Sequence, residues 1–172
     1  MKKILIIIFI YLFQINFATA NTIINFIDMN KIISTSKPGL SIIKQLNKVN
    51  SKNIDKFKND ASDLKIKENK LISLKNVLST EDYQLRVNKL KSEINNYNDF
   101  RNNVNIDFKK LKIDNTNKFI KMINPILVKY SKEKSISIIL QKKNLVIGKT
   151  ELDITDEIIK NVNKEIKEFK IK

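Results

Sequence analysis

The sequence predicts an α+β chain, mostly α, in which a long antiparallel helical hairpin projects from a small β body with short helices. Three observations carry this. The 172 residues include only two glycines and two prolines, at Pro38, Gly39, Pro125 and Gly148, too few for a fold built from many tight turns. Apolar residues recur at steps of three and four through most of the middle of the chain, the spacing of one helical face. Beyond the apolar start, short runs rich in β-branched residues occur at Thr22–Asp28 and beyond Ser135.

The start, MKKILIIIFIYLFQINFATAN, reads as an export signal. Lys2 and Lys3 form a basic n-region, Ile4 to Phe13 an apolar run, and Ala18-Thr19-Ala20 a small-x-small cleavage site. The apolar run, about ten residues, falls well short of the roughly twenty that span a bilayer. Cleavage is expected after Ala20, which makes 1–20 a signal peptide and the mature chain an exported one.

TIINFID reads as the first strand, followed by a short helical turn over MNKIIST capped by Asp28 or Asn30. Pro38-Gly39 breaks the chain, and Pro38 suits the first turn of a new helix. Residues 21–39 are thus a first body segment. From Leu40 a stripe runs through Ile54, Phe57, Ala61, Leu64, Leu71, Leu74 and Leu78. A second runs through Tyr83, Val87, Leu90, Ile94, Tyr97, Val104, Phe108 and Leu111. The spacing is that of a coiled-coil seam. The stripes mirror each other about residues 80 and 81, pairing Leu78 with Tyr83, Leu74 with Val87, Leu71 with Leu90, Leu64 with Tyr97 and Phe57 with Val104. The fold point coincides with Ser79-Thr80-Glu81-Asp82, where Ser79 or Thr80 can cap a restarting helix and the acids favour its N-terminus. The reading is an arm over 40–124 with its tip near 79–82, each helix about 40 residues and roughly 60 Å long.

Past Leu111 the stripe shifts to Phe119, Met122 or Ile123, Ile126, Leu127 and Tyr130, facing a different partner surface, with a bend expected at Pro125. SKEKS ends this helix. SISIILQ and NLVIGK, around Lys142-Lys143-Asn144, read as a β-hairpin. A terminal helix follows, capped by Asp153 or Thr155 and carrying Ile158, Ile159 and Val162. Residues 125–172 thus complete the body. The first strand must pair with Ile136–Gln141 or Leu145–Lys149. Three short strands bury little, so self-association is expected; Ile24, Phe26, Ile138, Leu140, Val146 and Ile158 are the candidate contacts between subunits or within the body.

The chain has neither cysteine nor histidine. That excludes thiolate nucleophiles, imidazole bases and His/Cys metal sites. No paired carboxylates stand out, so no enzyme, catalytic residue, metal site or cofactor is expected. The net charge is +15; without Lys2 and Lys3 it is 31 basic against 18 acidic residues, or +13. Such a charge favours acidic partners, and export argues against nucleic acid. Lys44, Lys48, Lys52, Lys56, Lys58, Lys65, Lys67, Lys70 and Lys75 place much of it on the first helix of the arm.

INFIDMNKIISTSKPG near the start and KYSKEKSISIILQKKNLVIGKTELDITDEIIKNVN near the end, with the basic hairpin between them, resemble the Skp/OmpH family of periplasmic chaperones. Ile27-Asp28, Gly39 and Asp153-Ile154-Thr155 stand where that family has its strand-end pair, its glycine and its helix cap. Ser135 departs from the glycine often found before the second strand. The resemblance implies a homotrimer with a shared β body and three arms around a cavity. There it would hold unfolded outer-membrane proteins without ATP and prevent their aggregation. Two other functions suit the same helices: an envelope coiled-coil adaptor or spacer, and a peripheral protein that binds anionic lipid or lipopolysaccharide.

Overall fold

The computed structural model describes residues 22–171; the expected signal segment lies outside the described residues. Strand β1 (Ile23–Ile27) pairs in parallel with β2 (Ile136–Gln141), Ile24 opposite Ile138 and Phe26 opposite Leu140, with an irregularity between Ile23 and Ile24. On its other edge β1 meets the chain again: Phe26 forms a parallel bridge with Asp153, and the Ile154 N–H donates to the Phe26 carbonyl at 3.1 Å. The ends of the chain are thus stitched together around one short strand.

Helix α1 (Met29–Thr35) starts where Asp28 accepts the Lys31 N–H at 3.0 Å, satisfying an N–H that the first turn leaves free. Buried Ser36 ends α1 and starts α2 (Lys37–Ser73). Its N–H donates to the Ile32 carbonyl at 3.1 Å, and its hydroxyl accepts the Gly39 N–H at 3.2 Å. Pro38 lies in the first turn, as expected, but the helix begins at Lys37 rather than Leu40. A Cβ on Gly39 would run into the Ile33 carbonyl, so glycine is what lets the two helices meet.

Residues 74–78 turn the chain, with Leu78 N–H donating to the Leu74 carbonyl at 3.1 Å. Helix α3 (Thr80–Glu133) then returns alongside α2 and runs through Pro125 to the body. It ends at Glu133 with Lys134 at the cap, and the next residue, Ser135, has a φ of 54°, the left-handed conformation that a glycine would adopt without strain. Helix α4 (Thr155–Glu165) closes the body and is followed by a short C-terminal tail. The core lies where these elements converge, around Ile32, Ile42, Phe119, Ile123, Ile158 and Val162.

Two local expectations are corrected. The β-hairpin does not form among the described residues: 142–144 make a 3-10 turn and Leu145–Lys149 has no strand partner. β1 already occupies one edge of β2, and the loop crosses over β1 instead, with Gly148 so close to the Phe26 ring that a Cβ would stand 3.0 Å from it. Neither Asp153 nor Thr155 is the residue at the cap position of α4; Ile154 is. Asp153 nevertheless accepts the Thr155 N–H at 3.0 Å, while the Thr155 hydroxyl accepts the Asp28 N–H at 2.8 Å and donates to Asp153. Both side chains fasten α4 to the end of β1.

Candidate functional site

The arm differs from the body in one measurable way: among the described residues, none between 47 and 114 is buried. Two helices side by side give each seam residue a neighbour on one side only, so Leu64, Leu71, Leu74, Leu78, Tyr83, Val87 and Leu90 are half-buried. Ile54, Ala61 and Ile94 sit at the rim of the seam, and Asn53, Asp60 and Glu93 are more covered than they are. Phe57 packs edge-on against Phe100 (6.2 Å between centroids, 77°), and the Tyr97 hydroxyl donates to the Phe57 carbonyl at 3.2 Å. Lys56 lies 5.1 Å over the Phe100 ring.

All nine lysines expected on the first arm helix are exposed. Lys56 pairs with Asp60 (3.0 Å), Lys65 with Glu68 (2.7 Å) and Lys67 with Glu93 across the arm (2.6 Å). The Glu93 hydrogen bond raises the Lys67 pKa, and Lys67 in turn lowers that of Glu93. The other six make no ion pair among the described residues. Near the tip, Lys67, Lys70, Arg86, Lys89 and the Glu93 carboxylate that pairs with Lys67 surround Leu71, Leu74, Leu85 and Leu90 in an open cleft of about 520 Å³. The arm therefore presents exposed positive charge beside apolar surface.

A second apolar set lies off the seam: Ile66, Ile72, Val77, Leu85, Ile106 and Ile113 are all more than half exposed. Periodicity alone singles out no residue as a contact for a bound chain. The available signal was apolar residues out of phase with the seam, such as Ile106 and Ile113, seven apart on the far side of α3.

Ser79 caps α3, accepting the Asp82 N–H at 3.1 Å and donating to the Asp82 carboxylate at 2.9 Å. Thr80 is the first helical residue and forms no cap bond. Of the six candidate contacts in the body, Phe26 and Ile158 are buried within the protomer. Ile24, Ile138 and Leu140 are exposed on the two paired strands, and Val146 protrudes fully from the unpaired loop with Ile147.

The family described as "Outer membrane protein (OmpH-like)" matches residues 23–162. This chain belongs to the OmpH-like family. Its fold is shared with a crystal structure of an OmpH-like protein from Caulobacter crescentus CB15, described as a candidate outer membrane chaperone. The TM-score is 0.74 at 13% identity, covering 88% of this chain and 90% of that one. Among curated protein sequences nothing matches this one. The OmpH-like match ends at Val162, within α4, and the tail lies beyond it.

Proposed function

We propose that this OmpH-like protein is a periplasmic holdase chaperone that binds unfolded outer-membrane proteins between basic arms and prevents their aggregation, without ATP or catalysis. The observation that carries this reading is the arm, two long helices with no buried residue between 47 and 114, lysines without partners and isoleucines off the seam. A surface of this kind attracts acidic chains at long range and shelters apolar segments at short range. The family membership and the description of the Caulobacter relative support it. In this reading residues 40–124 are the arm, and 21–39 with 125–172 the body.

The working unit is a homotrimer. Its support is the body itself: Ile24, Ile138, Leu140 and Val146 leave apolar surface uncovered beside the open edge of β2, the kind of edge that pairs with another chain. The reading is tested by diluting an unfolded outer-membrane β-barrel with and without the protein while following light scattering. Suppressed aggregation near equimolar trimer is expected. Unchanged aggregation at several-fold excess, or a monomeric mass in solution, overturns the cavity.

The cleft near the tip favours a second, compatible reading. Lys70, Arg86 and Lys89, with Lys67 paired to Glu93, lie around four leucines there, an arrangement that suits an anionic amphiphile such as lipopolysaccharide or anionic lipid. Binding to anionic vesicles that disappears at high salt is its signature; binding that persists in salt or extends equally to neutral vesicles removes it.

A further inference from the structure

After α4 the chain leaves the helix at Ile166, whose backbone is extended, and crosses the root of the arm. Phe169 is 2% exposed, packed edge-on against Phe119 of α3 (5.9 Å, 77°) beneath the Lys118 ammonium at 5.3 Å. Its flanking residues Lys167, Glu168 and Lys170 are exposed.

The main chain of the tail is read by one side chain of α2. The Gln45 amide donates to the Phe169 carbonyl at 2.7 Å, and its oxygen accepts the Ile171 N–H at 3.3 Å. The Ser41 hydroxyl also donates to the Phe169 carbonyl, at 3.3 Å, and Gln45 is itself held by Ser41. A carbonyl and an N–H two residues apart, facing one way, are what an extended strand offers a neighbouring strand. Gln45 therefore imitates a strand partner and takes no account of the side chain between.

The groove thus makes two demands of its occupant: an extended main chain, and an aromatic ring at one position followed two residues later by an aliphatic side chain. Nothing in it recognises the rest of the tail. No backbone–backbone hydrogen bond joins residues 167–171 to the rest of the described chain; the Phe169 ring and the Ser41 and Gln45 side chains hold them. Ordering those residues costs conformational entropy that offsets part of what the Phe169 anchor contributes, so local opening of this segment costs less than global unfolding.

We infer that the α2–α3 root groove formed by Ser41, Gln45, Lys118 and Phe119 is a peptide-binding site, occupied in cis by residues 167–171 and opened to an alternating aromatic–aliphatic segment of an unfolded polypeptide when the tail lifts. The identification of that segment with cargo rests on the holdase reading. The alternation is that of an amphipathic strand, whose apolar residues are two apart. Cargo already held by the arms would find the groove at their base at high effective concentration.

The test uses a fluorescently labelled KEFKIK peptide, the sequence of 167–172. It is titrated by anisotropy against the intact chain and a chain ending at Lys167, which keeps α4 and Ile166. An occupied groove lowers apparent affinity by the fraction of time it is open, so the shortened chain should bind roughly tenfold tighter or more. Phe→Ala in the peptide, or Gln45→Ala in the shortened chain, should weaken binding several-fold. Full-length Phe169→Ala, with the tail attached but unseated, should gain binding as well. In the intact chain, unfolded β-barrel substrate should raise hydrogen exchange at Phe169–Ile171. Equal peptide affinity for intact and shortened chains, or none for a shortened chain that keeps its helical circular dichroism, overturns the site. Tail exchange unchanged by substrate in a chain that suppresses aggregation also overturns it. Peptide binding without any suppression of aggregation leaves the groove standing and removes the holdase reading instead.

Discussion

Ser135 is the residue among those described, other than glycine, with a positive φ, 54°. An L-residue there places its Cβ against the following carbonyl, at a cost of about 1–2 kcal/mol. Glycine avoids that contact but gives the unfolded chain more freedom, which returns about 0.4–1 kcal/mol. Ser135→Gly should therefore stabilise the body modestly, by about 0.5–1 kcal/mol, read as a rise of a few degrees in melting temperature. A fall would mean that the hydroxyl makes a contact worth more than the strain. Asp153 supplies a prediction of a different kind. Burial pushes its carboxyl up, but the hydroxyl and N–H of Thr155 and the Lys142 ammonium outweigh burial and hold its pKa below the ordinary value. A depressed folded pKa contributes stability that is present above the unfolded pKa and is lost as pH falls through the folded one. The body should lose stability as pH drops below about 4. Asp153→Asn should lower the neutral-pH melting temperature and flatten this acid limb; an unchanged limb would assign the acid sensitivity to other carboxylates.

At the scale of elements the tip is the cleanest case. Ser79 provides both the acceptor for the Asp82 N–H and a donor to its carboxylate, whereas Thr80 supplies no cap bond. Ser79→Ala should cost about 1 kcal/mol locally and raise amide exchange over the first turn of α3. Thr80→Ala should change little, and neither should alter the mass in solution. If mass fell with Ser79→Ala, the tip would lie within the assembly interface. The tip, the two stripes and the Asp28 and Pro38 starts were legible because each depends on neighbours within a few residues in sequence. The Phe57–Phe100 contact was less so: a heptad pattern fixes which face of each helix is apolar, and Phe100 lies outside both stripes. NLVIGK has the composition of a strand, yet whether a strand forms depends on a free edge; β1 holds one edge of β2 and the loop passes over Phe26. The tail was missed because Phe169 and Ile171 follow strand alternation after a helix and pair with Gln45, more than 120 residues earlier. Of the six body candidates, Phe26 and Ile158 fill the protomer's own core, a choice that periodicity cannot make.

Across the whole molecule, stability is distributed unequally by design of the sequence. The body closes on itself through β1, which gathers β2 and the Asp153 bridge, and through α4, whose Ile158 and Val162 are fully covered. The arm has only one layer of half-buried side chains along each helix. Apolar burial contributes roughly 25 cal/mol per Å² removed from water, so a seam covered on one side supplies a fraction of what the same residues supply in the body. Backbone ordering costs the same in both places. The arm should therefore open by local fluctuations while the body stays folded, the property a binding arm needs to accommodate chains of different sizes. Native-state hydrogen exchange can measure this. Amides between 47 and 114 should exchange with opening free energies below the global value, and those near Ile123 and Ile158 only on complete unfolding. Phe57→Ala should cost about 1–2 kcal/mol and accelerate exchange in the arm alone. Phe119→Ala should cost about 3–5 kcal/mol and lower protection throughout, because Phe119 supports both helices where they enter the body. Arm amides protected as fully as those at Ile123 would mean that arm and body unfold together. The arm would then be a rigid strut, a property that suits the spacer reading better than the holdase.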